Sequence, residues 1–259
     1  MLRLALFDLD GTLIDGRDHL NAEAIRAGIT AGFGLSEAKP EDVPHAGFTD
    51  RATLLAVAIH HGLEQKEAHQ KVDEVLRVKD EVLKRLLGER PEDAPIRATP
   101  GAITFVQDLL EAGVVCGLVT GNTPYAAYSK LERAGFAREW FRLGSFGDRC
   151  ETRVELVKHA LAAASRNLSE LRRGEVVVVG DTSLDITSGN INGTHTLAVL
   201  TGRGTKQELL RSKPSLLVNT FVQPHMLQRL LAIGRVTNSM RVRRTHFSHG
   251  LATDSSEVA

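Results

Sequence analysis

Leu4, Ala5, Leu6 and Phe7 are followed at once by Asp8, Leu9, Asp10, Gly11 and Thr12. A short apolar run bounded by glycine suits a buried β-strand. Two acids, one residue apart, fall where that strand should end. Burying such a pair is costly, so a plain core strand would not terminate this way. In open α/β sheets, ligands bind outside the carboxyl ends of the strands. A divalent cation would remove the penalty, because carboxylate oxygens suit hard ions such as Mg²⁺. The competing reading is an acidic β-turn, in which Asp-Gly is common.

Two later runs repeat the pattern. Residues 114–119 form an apolar run that leads straight into Thr120, Gly121, Asn122, Thr123 and Pro124, then a helix through about Ala134. A hydroxyl and successive backbone N–H groups at a helix N-terminus suit a phosphate. Alternatively, Thr120 or Thr123 only caps the helix. Four valines, 176–179, run into Gly180, Asp181, Thr182, Ser183, Leu184 and Asp185. The second acid lies one helical turn after the first and faces the same way. A helix cap plus a solvated acid is the bland alternative, and two separate strand-end acidic clusters argue against it.

The rest of the second half alternates strand and helix. Pro100-Gly101 opens a helix over 102–112 that Gly113 ends. A short strand is expected over 141–146, a helix over 154–164, a strand over 196–200, a helix over 205–210 and a last strand over 216–218. Residues 17–87 instead read as helix throughout, with no convincing strand. Leu20, Ala24, Ile25, Ala27 and Ile29 mark one helix, 52–61 a second, and 65–87 a third with Val72, Val75, Leu76, Leu83 and Leu86 on one face. A polar, proline-containing stretch, 89–100, returns the chain to the alternating part.

Asp8-x-Asp10-Gly11-Thr12 after the first strand, Thr120 ending a second, and Gly180-Asp181-x-x-x-Asp185 after a third resemble the motifs of the haloacid dehalogenase superfamily. The resemblance runs to about residue 230 and is to the phosphoglycolate phosphatase-like branch. It implies an α/β fold, a Rossmann-like three-layer α/β/α parallel sheet with the first strand central and an inserted α-helical cap. The core would be 1–15 and 96–234 and the cap 16–95; beyond about residue 233 the apolar periodicity is lost, so 235–259 reads as a disordered tail. The resemblance further implies a Mg²⁺-dependent phosphatase acting on a small phosphorylated metabolite. Asp8 would be the nucleophile and Asp10 the general acid and base. Thr12 would orient the Asp10 loop. Asp8, Asp10, Asp181 and Asp185 would hold the metal, and Thr120, Gly121, Asn122 and Arg153 the phosphate.

At the third motif the chain departs from the resemblance. Many relatives carry a Lys-Pro pair at a helix start, and this sequence does not. Arg153 is the first candidate for that cation, with Lys158 and Arg149 as alternatives. The stretch 44–51 resembles the Gly-x-Thr-Asp loop of relatives near phosphoglycolate phosphatase, which points to Thr49, Asp50 and Arg51 as substrate-side residues. Arg51 would pair with a substrate carboxylate or phosphate. On the other reading Thr49 or Asp50 caps a helix and Arg51 is solvated. A phosphomutase shares both acids of the first motif, and a catalytically silent binding protein would share the fold.

Composition narrows the partners. The chain has 259 residues, 42% of them hydrophobic, enough for one large domain or one domain with an insertion. Lys+Arg and Asp+Glu each number 32, so nothing electrostatic favours a nucleic acid or an anionic membrane. The basic residues Arg241, Arg243 and Arg244 are too few to change that. Two cysteines suggest no disulfide framework. No apolar run is long enough to cross a bilayer, and the first strand begins too early to leave room for a signal peptide. A cytoplasmic monomer or homodimer is the expectation.

Overall fold

In the computed structural model, residues 1–16, 18–45 and 47–233 are described; the tail expected over 235–259 lies outside them. Six parallel strands form the main sheet: β1 (Leu4–Phe7), β4 (Val115–Thr120), β5 (Phe141–Phe146), β6 (Val176–Gly180), β7 (His195–Val199) and β8 (Leu216–Val218). Their spatial order is β5-β4-β1-β6-β7-β8, so β1 is central. Leu4 to Phe7 register against Val115 to Leu118 on one side and Val176 to Val179 on the other. A strand paired on both edges and covered on both faces has no polar side, so it reads as a continuous apolar run.

The two faces of β1 feed two separate cores. Ala5 and Phe7 point into a cluster with Phe105, Val106 and Leu109 of α4 (Ala102–Glu111) and Ala127 and Leu131 of α5 (Pro124–Arg133). Leu4 and Leu6 point the other way, toward Leu156, Val157, Ala160 and Leu161 of α6 (Arg153–Asn167). The result is three layers, α/β/α. Helix α7 (Ser183–Ile191) follows β6, and α8 (Lys206–Arg211) links β7 to β8.

The segment 19–89 forms α1 (His19–Gly28), α2 (Asp50–His60) and α3 (Gln65–Glu89). Their apolar faces make a core of their own, with Ile29, Leu54, Val57, Val72 and Val75 at its centre. The chain leaves and re-enters the sheet layer through a ribbon just outside the stretch 17–87 read as helical, and the sequence reading did not foresee it. It pairs β2 (Ile14–Gly16) antiparallel with β3 (Ile96–Ala98). Gly16, at φ 137, sits where a Cβ would lie 2.2 Å from the Pro95 carbonyl oxygen, so only glycine closes the ribbon here.

Candidate active site

The carboxyl ends of β1, β4 and β6 converge, and each carries one of the predicted motifs. Asp8 extends β1 by one residue, its N–H donating to the Val179 carbonyl at 2.9 Å. Asp181 follows β6 directly. Asp185 sits in the first turn of α7, where its Oδ2 takes the Thr182 hydroxyl at 2.6 Å and the Thr182 N–H at 3.1 Å, a capping box. Asp8, Asp181 and Asp185 are 2%, 1% and 2% exposed. Each offers a carboxylate oxygen within 4.8 Å of the other two.

Three buried acids so close cannot share their charge cheaply. Burial pushes the Asp8 carboxyl well above the usual range; Arg153 opposes this, while Asp185 and Asp181 add to it. Burial, then Asp185, push Asp181 up to about 6, against hydrogen bonds from the Arg203 N–H and the Thr12 hydroxyl. The Thr12 hydroxyl donates to Asp181 Oδ1 at 3.0 Å, and the Arg203 N–H to Oδ2 at 2.8 Å. Gly11, at φ +85, lets the loop pass this carboxylate: a Cβ there would lie 2.6 Å from Asp181 Oδ2.

Arg153 is the cation in the cluster. Its Nη1 donates to Asp8 Oδ1 at 2.5 Å and stands 3.1 Å from Asp185 Oδ1. Desolvation works against its charge, but Asp8 and Asp185 outweigh it and hold the guanidinium firmly protonated. Of the other two candidates, Arg149 has a side chain 88% exposed and pairs with Asp148, and Lys158 is exposed on α6. One guanidinium against three carboxylates leaves net negative charge in a buried site. That donor set, all oxygen and all acidic, fits a hard divalent cation.

Asp10 is turned elsewhere. Its carboxylate takes Lys130 Nζ at 2.8 and 3.0 Å and the Asn122 side-chain amide at 2.6 Å. Desolvation would raise its carboxyl, yet the Lys130 ammonium, helped by Asn122, outweighs that and holds it below the ordinary range. The Asn122 amide also donates to Thr120 Oγ1 at 2.9 Å. Thr120 is fully buried at the end of β4. Thr123, not Thr120, is the N-cap of α5.

The predicted substrate-side residues open α2 and pack against the β4–α5 and β5–α6 loops. Thr49 caps α2, its hydroxyl accepting from Ala52 N–H at 3.1 Å. Asp50 and Arg51 donate their N–H groups to the Gly121 and Gly147 carbonyls, at 2.7 and 3.0 Å. A Cβ on Gly121 would lie 2.4 Å from the Phe48 carbonyl oxygen, so the approach depends on glycine. The Arg51 guanidinium donates to the Asp148 carbonyl at 2.6 Å and pairs with Asp73. It is thus bonded to protein groups rather than simply solvated. It also lines the cavity of about 500 Å³ that opens beside it, with Arg77, Asp80, Thr123 and Arg149 among others.

Sequence reasoning missed two lysines. Lys130 lies in the buried face of α5 with Ala126, Ala127 and Leu131. Lys79 lies in that of α3 with Val72, Val75, Leu76 and Leu83. Lys79 Nζ reaches Asp50 Oδ2 at 2.7 Å, Thr123 Oγ1 at 3.0 Å and Asp80 Oδ1 at 3.3 Å. The signal was there: a lysine at an apolar position of a helix needs a buried partner.

A carboxylate at the end of a central parallel strand is thus faced by a guanidinium and two further acids. The family model for haloacid dehalogenase-like hydrolases matches residues 2–193, and the chain belongs to that family. A phosphoglycolate phosphatase from Agrobacterium fabrum (strain C58 / ATCC 33970) is 25% identical over 234 residues, 89% of this chain and 95% of that protein. Among solved structures, a hydrolase from Pseudomonas syringae aligns at TM-score 0.61 and 19% identity, over 89% of this chain and 99% of its own. A β-phosphoglucomutase from Clostridium difficile aligns at TM-score 0.60 and 15% identity, over 88% and 96%.

Proposed function

We propose that this protein is a Mg²⁺-dependent phosphatase that hydrolyses a small phosphomonoester through an aspartyl-phosphate on Asp8. The buried trio Asp8, Asp181 and Asp185 with Arg153 in its midst carries the reading. A purely structural strand end would have no cause to concentrate charge this way. Asp8, Asp181 and Asp185, with the Asp10 backbone carbonyl, would hold the ion, which when bound screens charge between carboxylate and phosphate and stabilises the transferring phosphoryl group.

The chain's own residues do the rest. Asp8 Oδ attacks phosphorus, the ester P–O bond breaks, and Asp10, ionised at rest beside Lys130, takes up a proton from solvent and passes it to the leaving oxygen. Water then attacks phosphorus, Asp10 takes its proton, and the P–Oδ bond breaks to restore the Asp8 carboxylate. Arg153 steadies the nucleophile and neutralises the phosphoryl oxygens, while Thr120, Gly121 and Asn122 form the rest of the phosphate site. In this reading residues 16–95 are the cap on a core of 1–15 and 96–234, and Thr49, Asp50 and Arg51 seat it on the core. Closure excludes water from the first step. The two free thiols, Cys116 and Cys150, suit a cytoplasmic setting; among the described residues no helix is long and apolar enough to cross a membrane.

The test is phosphate release from a panel of small phosphomonoesters, 2-phosphoglycolate first, with and without Mg²⁺, on wild type and Asp8→Asn. Metal-dependent release that Asp8→Asn loses is the expected result. Isomerisation of a sugar phosphate without net release would replace the phosphatase by a mutase. Mg²⁺ binding with neither outcome would leave a binding protein.

A further inference from the structure

We propose that Lys130 is a positioning residue for Asp10 in the hydrolysis half of the cycle. The inference rests on the reading of Asp10 as the group that activates water. Arg153 serves Asp8 and Asp185; Lys130 is a second, separate cation reserved for Asp10. It stands on the core helix α5, with its side chain only 5% exposed. Its ammonium donates to three acceptors: both Asp10 oxygens and Asn122 Oδ1, the last at 2.8 Å. A lysine with its protons so assigned is well fixed.

Asp10 needs fixing. Its side chain is 48% exposed and follows the strand end, ahead of a glycine in the left-handed region. Among the described residues, Lys130 and Asn122 are the side chains that donate to its carboxylate. A general base must present one oxygen to the attacking water at the right distance and angle, and a half-exposed carboxylate free to rotate would spend much of its time elsewhere. Asn122 ties the same carboxylate to Thr120 Oγ1 of the phosphate site. One network thus sets the base in register with the phosphoryl group it must serve.

The step concerned is the second. Water oxygen bonds to phosphorus, Asp10 takes the water proton, and the electron pair of the P–Oδ bond returns to Asp8 as phosphate leaves. An aryl ester isolates this step, because its phenolate departs without needing a proton. With p-nitrophenyl phosphate and Mg²⁺, Lys130→Met should lower kcat about tenfold or more and KM with it, leaving kcat/KM within about threefold of wild type. p-Nitrophenolate should appear in a burst, and intact-mass analysis should find phosphate accumulated on the protein.

A parallel fall of kcat and kcat/KM without a burst would mean general damage and overturn the proposal, as would an unchanged kcat. Lys130→Gln, which keeps a polar donor but is one atom shorter and uncharged, carries the same comparison should Lys130→Met fail to fold. Asp10→Asn is the control. If it shows no burst and stall, the role of Asp10 in water activation falls, and this proposal with it. If it stalls and Lys130→Met does not, the proposal alone falls.

Discussion

At the scale of single residues, the site is governed by the cost of confining like charges. Asp181, pushed up to about 6 by burial and Asp185, binds a proton in the folded state that it releases near 3.8 when unfolded. Between those values the native state holds more protons than the unfolded one, so this group makes the metal-free fold lose stability as pH rises through about 4 to 6. Asp8, also raised, acts in the same direction. A divalent ion must displace those protons to bind. Mg²⁺ should therefore raise Tm more at pH 7.5 than at pH 5, and Asp181→Asn should shrink the rise at pH 7.5; thermal melts at both pH values check this. Equal rises at both would remove the coupling. Arg153→Met leaves Asp8, the proposed nucleophile, without its hydrogen-bonded cation, and kcat/KM for any accepted ester should fall roughly a hundredfold or more. A milder loss would return the role to Lys158 or Arg149.

At the scale of elements, the best-read parts of the chain were those whose burial is two-sided. Leu4–Phe7 and Val176–Gly180 are apolar throughout because they lie inside a parallel sheet, and their ends announced the acids. The ribbon of β2 and β3 was invisible for the opposite reason. Each strand is three residues long, and Asp15, Gly16 and Arg97 give it no apolar pattern. Lys79 and Lys130 were passed over because a charge on a helix is usually a solvated one; only the fold brings Asp50 of α2 to Lys79 beside its neighbour Asp80, and Asp10 from the end of β1 to Lys130. Lys79 is wholly buried, and desolvation alone would discharge it, but Asp50 and Asp80 outweigh that and keep it protonated. Lys79→Met strands those two acids and removes a bond to Thr123, the cap of α5. It should cost about 3 kcal/mol in urea unfolding, as breaking a buried ion pair does. A loss of a few tenths would show that solvent already satisfies Asp50 and Asp80.

For the whole molecule, the sheet fixes Asp8, Asp10, Thr120 and Asp181 near adjacent strand ends, while the helical unit meets it through backbone bonds at Gly121 and Gly147 and through Leu20, Ala24 and Leu83 packed with Ala126 of α5. Arg153 reaches across that boundary as well, its Nε donating to the Gly47 carbonyl at 2.8 Å. Under the proposed function, the residue that pairs with the nucleophile is therefore also bonded to the backbone at Gly47. On this account chemistry and closure share one side chain, and everything depends on Asp8 becoming phosphorylated. Rapid quenching of the wild type during turnover of an accepted ester with Mg²⁺, followed by peptide mass analysis, tests that most directly. The account predicts phosphate on the peptide that carries Asp8, absent in Asp8→Asn and without added substrate. Steady hydrolysis with no phosphate ever found on Asp8, or label on another residue, would contradict it.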